Sequence, residues 1–182
     1  MDYYGAKELA ESFRTVRKNT LIAAEEIGEE YYGFRATPET RTIAQTLVHI
    51  AHICELSEQV HKVERLRSLE NFDFMAFIGP RIADEQKPRT KAQILELLRE
   101  GRDRFGNWLE SLSDEFLGER VAMRPGLPGP ASKTRFEMLL GVKEHEMHHR
   151  AQIMLLQRMT GGVPHLTREM QARFAGATAA PR

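Results

Sequence analysis

Residues 134–160 read as one long amphipathic helix, and the rest of the chain has to be arranged around it. Thr134-Arg135-Phe136-Glu137 fits a capping box, in which hydroxyl and carboxylate each take an orphan backbone N–H. Gly161-Gly162, with Pro164 beyond, is a standard stop. Between these ends the seam reads Met138, Val142, His145, His149, Ile153 (or Gln152) and Leu156, at intervals of three and four. Two histidines therefore sit where apolar side chains are expected. Their four ring nitrogens need partners if buried. A divalent metal ion would take one nitrogen from each, with neighbouring acceptors holding the others.

Three further segments carry helical periodicity. Residues 6–32 place Leu9, Phe13, Val16, Thr20, Ala23, Ile27 and Tyr31 on one stripe before Gly33 and Pro38 break it. A second helix is expected from Thr37-Pro38, read as N-cap and first helical proline, to about residue 67. It runs through Ile43, Leu47, Ile50 and Cys54, with Thr46, His49, Ile53, Leu56 and Val60 on an adjoining stripe. A third begins at the capping box Thr90-Lys91-Ala92-Gln93 and continues through Ile94, Leu98, Phe105, Trp108 and Leu112. Residues 68–89 form a long apolar crossover, either packed over the bundle or lining a pocket. Residues 113–133, rich in Pro and Gly, are a second irregular stretch, and no strand is convincing. The expected fold is an all-α four-helix bundle with a long crossover between helices 2 and 3. One domain covers residues 1–174, and residues 175–182 form a flexible tail.

Charge balance narrows the function classes. Lys plus Arg and Asp plus Glu are 26 each, so the chain has no net charge and is a poor match for nucleic acid. No apolar run approaches the roughly 20 residues of a membrane span, and Met1-Asp2-Tyr3-Tyr4-Gly5 lacks a basic start. With Cys54 as the single cysteine, a cytoplasmic protein acting on a small molecule is the expectation.

Two metal-site readings compete. His145-Glu146-Met147-His148-His149 matches H-E-x-x-H, the zincin motif, with Glu146 as general base and Glu169 at a third-ligand spacing. Gln152 and Leu155 stand where the extended metzincin form needs Gly and His, and no strand is there to bind a peptide. The other reading takes His49 as third ligand beside His145 and His149. Two separate seams each placing histidine among hydrophobes would then share one explanation. Glu146 is the candidate catalytic group, as an acid/base or a partner to a ligand, against a plain solvated carboxylate. His52 is the alternative to His49; His148 is peripheral, and His61 and His165 are expected at the surface. Cys54 is read as a small buried hydrophobe.

Leu47-Val48-His49-Ile50-Ala51, followed about a hundred residues later by His145-Glu146-Met147-His148-His149-Arg150-Ala151-Gln152, resembles the DinB/YfiT-like family of metal-dependent proteins. The similarity extends over about residues 6–162; Ala151 departs from the family's usual glycine after the arginine. The resemblance implies a bundle of up-down-down-up order, a metal site on His49, His145 and His149, and a homodimer. It also implies thiol S-transferase-like or hydrolase-like chemistry, with zinc or nickel the favoured metals and a low-molecular-weight thiol as a candidate co-substrate. Arg150 and Gln152 would orient ligands or tie helices together. A non-enzymatic, stress-associated metal-binding protein is the alternative. Such a site would be closed by a fourth protein ligand from Glu146, His52 or Cys54.

Overall fold

The structure, a computed structural model, describes residues 4–126 and 128–179. Four long helices make the bundle: α1 (Ala6–Glu26), α2 (Ile43–Ser57), α4 (Lys91–Glu110) and α6 (Arg135–Met159). Shorter α3 (Phe74–Glu85) lies on α2, and α5 (Asp114–Gly118) lies on α6. α7 (His165–Ala179) touches α1. α1 packs on α4 and α6, and so does α2, which puts α1 and α2 on opposite corners. At the start of α4, Lys91 Nζ donates to Glu25 O and Ile27 O at the end of α1 (2.6 and 2.7 Å). The starts of α1 and α6 meet instead, where Tyr4 and Phe136 stack edge to face at 5.8 Å.

Local chemistry sets most helix starts. Thr90 with Gln93 and Thr134 with Glu137 form capping boxes at the expected places. The start of α2 is a correction. Thr42, not Thr37, is the N-cap, with Gln45 completing its box, while Thr37-Pro38 belongs to an upstream turn closed by Thr40. α2 also gives way at Ser57 to a π-helical turn, Glu58–Val63. The crossover at 68–89 holds α3, N-capped by the Asp73 carboxylate. Pro80 lies inside α3 and removes one donor from its ladder, which hides the helix from a periodicity reading. A two-stranded antiparallel pair, β1 (Arg120–Ala122) with β2 (Ser132–Thr134), also corrects the expectation of no strand. Three residues per strand are too few to show alternation. α7 runs on to Ala179 across the start of the expected tail, and residues 180–182 lie outside the described ones. No helix among the described residues is long and apolar enough to cross a membrane.

The core falls into two apolar clusters. One gathers Leu21, Ile27, Ile43, Leu47, Ile94, Leu98, Ile153 and Leu156; the other gathers Leu9, Phe13, Cys54, Phe105, Leu109, Leu139 and Val142. Arg17, Thr20 and Glu146 are fully buried at the mid-bundle positions between these two sets. Arg17 Nε donates to both Glu146 oxygens (2.8 and 3.0 Å), and Thr20 Oγ1 donates to Glu146 Oε1 (2.8 Å). The remaining Arg17 nitrogens reach Leu98 O on α4 and Ile50 O on α2. One guanidinium therefore touches all three other bundle helices. Burial opposes its charge, but Glu146 and Cys54 more than offset that and raise its pKa. Cys54 is buried as expected, and burial pushes its thiol up to about 12.

His61 and His165 are buried rather than at the surface. Arg135 Nη1 donates to His61 Nδ1 (2.9 Å), so a proton on that nitrogen would face a guanidinium. Burial first, then the Arg135 charge, hold His61 down at about 4, against an ordinary 6.5. Between these values the unfolded chain binds a proton that the fold refuses, so stability falls as pH drops through the window. The full loss is about 3 kcal/mol. His61→Gln, which still offers Arg135 an acceptor, is expected to flatten the urea midpoint's pH dependence between pH 6.5 and 4 relative to wild type. Superimposable pH profiles would show that His61 does not account for the pH dependence in this window.

Candidate metal centre

Helix geometry brings three histidines to one place. On α6, His145 and His149 are one turn apart, and on α2 His49 reaches the same spot across the helix pair. One nitrogen from each of His49, His145 and His149 lies within 4.8 Å of the other two. It is the only such group of metal-capable side chains among the described residues. The rings pack closely, with centroids of His49 and His149 at 4.5 Å and of His145 and His149 at 4.8 Å.

Hydrogen bonds fix which nitrogens face inward. His49 Nδ1 lies 2.8 Å from Glu85 Oε1, and a carboxylate only accepts, so this nitrogen carries the hydrogen. Gln152 Oε1 likewise accepts from His149 Nδ1 (2.8 Å). The Nε2 lone pairs of His49 and His149 are thereby left free of any hydrogen. His145 Nε2 stands 2.9 Å from His149 Nε2 and donates to it in this arrangement. Two nitrogens on one tetrahedral zinc ion stand about 3.3 Å apart. The His145–His149 pair at 2.9 Å therefore needs to open by a few tenths of an ångström, while the set as a whole, within 4.8 Å, closes on an ion by side-chain movement of about an ångström. Outer partners that orient ligating imidazoles are a regular feature of such centres.

Electrostatics keeps the imidazoles neutral and ready to ligate. Burial, the largest cause in each case, lowers the pKa of His49, His145 and His149, and the Arg41 guanidinium adds to it in all three. His52 behaves oppositely. Its Nδ1 meets Glu55 and its Nε2 meets Asp84 (2.7 and 2.9 Å), and these bonds raise its pKa. With both nitrogens held by carboxylates, His52 is a clamp between α2 and α3, not a substitute for His49. His148 is exposed and bonded only to Gln152 (3.2 Å).

Glu146 is not in the cluster. The buried face of α6 carries Leu139, Val142, Glu146, His149 and Ile153, so the seam is turned from the one read in the sequence and His145 lies at its exposed edge. Glu146 points to α1, where Arg17 and Thr20 occupy its oxygens. It offers no general base to the histidines, and Glu169 is exposed on α7. The zincin arrangement is not formed. Neither Cys54 nor His52 joins the three histidines as a fourth ligand.

Space adjoins the cluster on two sides. A cavity of about 140 Å³ is lined by His49 and His145 with Ile53, Leu56, Phe77 and Ile82. A wider groove of about 600 Å³ is lined by His149, Gln152, Thr46 and Leu155. Arg41, Ile82 and Glu85 border both. The crossover thus supplies a wall and, in Glu85, a hydrogen-bond partner for His49. Glu85 went unread because it lies 36 residues from His49 in sequence and inside a helix interrupted by proline. The usable signal was the rule that His49 Nδ1 needs an acceptor. Glu85→Ala is expected to weaken zinc binding by about 10–100-fold without removing a ligand. Competition with a chromophoric chelator measures this, and an unchanged affinity would show that Glu85 does not hold His49.

Comparison with known proteins gives a consistent picture. The family model of the DinB superfamily matches residues 12–153. Among solved structures, YfiT from Bacillus subtilis, described as a probable metal-dependent hydrolase with an unusual four-helix bundle topology, aligns with a TM-score of 0.66. The identity is 18%, over 89% of this chain and 93% of that one. A DinB-like protein from the same organism, YjoA, aligns with a TM-score of 0.61 at 18% identity, over 86% and 94%. These two establish likeness of fold. No curated protein matches the chain.

Proposed function

The chain belongs to the DinB superfamily, and on that footing we propose that it is a divalent-metal-dependent enzyme with His49, His145 and His149 as the metal ligands. The observation that carries this is the convergence of three imidazoles beside a cavity, two of them locked by Glu85 and Gln152 with Nε2 turned inward. YfiT's description as a probable metal-dependent hydrolase supports the same reading. Zinc or nickel suits an all-imidazole set.

A metal held by three imidazoles with an open position supplies a nucleophile at neutral pH, from water or from a thiol. The chain's own groups do the rest. Glu85 and Gln152 keep the ring hydrogens on Nδ1. Burial keeps the imidazoles neutral. Ile53, Leu56, Phe77 and Ile82 give the site an apolar wall on one side. Hydrolysis and transfer of a low-molecular-weight thiol use the same ligands. The substrate is a small molecule and the protein acts in the cytoplasm; a homodimer fits the exposed Met147, Leu155 and Met159 on α6. The test is turnover by zinc- and nickel-loaded protein on activated esters and amides, and on aryl halides with cysteine-based thiols, beside His145→Ala. Metal-dependent turnover lost in the variant is expected. Full metal loading with no turnover of any kind would favour the non-enzymatic metal-binding protein.

A further inference from the structure

Arg41 is not one of the histidines or their partners, and nothing proposed above needs it. Among the described residues it is the one Lys or Arg that borders both the 140 Å³ cavity and the 600 Å³ groove, and its side chain is 39% exposed. Its Nε donates to Glu85 Oε2 (2.6 Å), which fixes the plane of the guanidinium. Among the described residues its Nη atoms donate to no protein group. Arg81, the other arginine at the cavity, is already committed. It donates to Glu55 and to Phe77 O and stacks on the Phe77 ring at 3.5 Å.

We propose that Arg41 is a substrate-binding residue that takes a carboxylate, and that the substrate is a small monocarboxylic acid whose apolar body fills the cavity beside His49 and His145. The free Nη edge of a guanidinium held in place is preorganised for the planar, bidentate carboxylate. The charge preference follows from the neighbours. Glu85 already holds Arg41 through Nε and Glu39 lines the same groove, so one carboxylate can use the Nη edge while a second would meet these carboxylates with no further Lys or Arg lining the groove. Size follows from the cavity: about 140 Å³ is close to the roughly 150 Å³ that accommodates benzene in an engineered protein cavity. An acid anchored at Arg41 with its body among Ile53, Leu56, Phe77 and Ile78 lies alongside the histidine nitrogens.

The inference takes the reacting centre from the metal-enzyme reading, but the binding itself does not depend on metal. Benzoate and its uncharged counterpart benzamide are therefore titrated by NMR into the full chain, with and without zinc, for wild type, Arg41→Gln and Arg41→Lys. Expected are saturable benzoate binding in wild type, at least about a tenfold loss in Arg41→Gln, and partial recovery in Arg41→Lys. Benzamide should bind weakly to all three. The number of zinc ions bound and the NMR dispersion of the variants, measured alongside, should match wild type, while the melting temperature falls in Arg41→Gln because buried Glu85 loses its guanidinium. Benzoate binding that ignores Arg41, benzamide binding as well as benzoate, or no saturation in wild type would each overturn the proposal. If benzoate follows Arg41 but zinc never binds, the metal-enzyme reading fails and the anion site stands. If zinc binds on the histidines and benzoate ignores Arg41, only the anion site fails.

Discussion

Alanine at His49 is expected to take bound zinc from about one ion per chain to none, as measured by elemental analysis after gentle purification and reconstitution. His145→Ala and His149→Ala should do the same. Each removes one of only three protein nitrogens in the cluster, and no Cys, Asp or Glu among the described residues groups with them to replace it. Two imidazoles alone leave an ion half solvated, whichever of the Glu85 and Gln152 contacts remains. Glu169→Ala should leave zinc at about one per chain, because that carboxylate is exposed on α7 and outside the cluster. A second readout follows by mass action. Zinc at a thousand times its dissociation constant stabilises the fold by about 4 kcal/mol, so it should raise the melting temperature of wild type and not of His49→Ala. Stoichiometric zinc in His49→Ala would sink the three-histidine centre. Loss of zinc in Glu169→Ala would bring back the zincin arrangement.

What the sequence made legible was whatever is encoded within a turn or two. The capping boxes at Thr90 and Thr134 could be read because both halves of each lie three residues apart. His145 and His149 share a face for the same reason, and His49 stood out on an apolar stripe. The parts missed depend on partners far away in the chain. The sequence alone leaves Glu146 as an acid/base, a partner to a ligand or a solvated carboxylate, because nothing within a turn or two shows another role. Its true partner, Arg17, is 129 residues distant. His61 was placed at the surface because nothing local predicts the buried guanidinium of Arg135, 74 residues on. Thr37-Pro38 is a sound helix start by local rules, and Thr42 with Gln45 five residues later is better, since both halves of its box are satisfied. Local rules rank such rivals poorly when the deciding difference is where the chain can pack.

The buried pair itself carries the second large prediction. Glu146→Ala is expected to lower the unfolding free energy by about 3–5 kcal/mol, because it leaves the Arg17 charge buried with no counter-charge. Arg17 is fully enclosed and cannot turn out to water without parting from Leu98 O and Ile50 O on two other helices. Urea denaturation of Glu146→Leu, Arg17→Met and the double variant Arg17→Met/Glu146→Leu gives a thermodynamic cycle. The double variant should recover most of what either single change loses, since apolar side chains of similar volume remove both charges and their desolvation together. Folded Glu146→Ala, assayed below its unfolding transition, should still bind zinc as wild type does, because Glu146 bonds to none of the three histidines. If instead Glu146→Ala kept its stability and lost metal or metal-dependent turnover, the carboxylate would have to swing from α1 to the metal centre in the working protein. The Arg17 pair would then be a resting arrangement. If the double variant folds with wild-type stability yet shows poorly dispersed NMR spectra, the pair acts mainly on uniqueness. One guanidinium reaching α2, α4 and α6 from α1 would then select a single packing of the four helices over its near rivals.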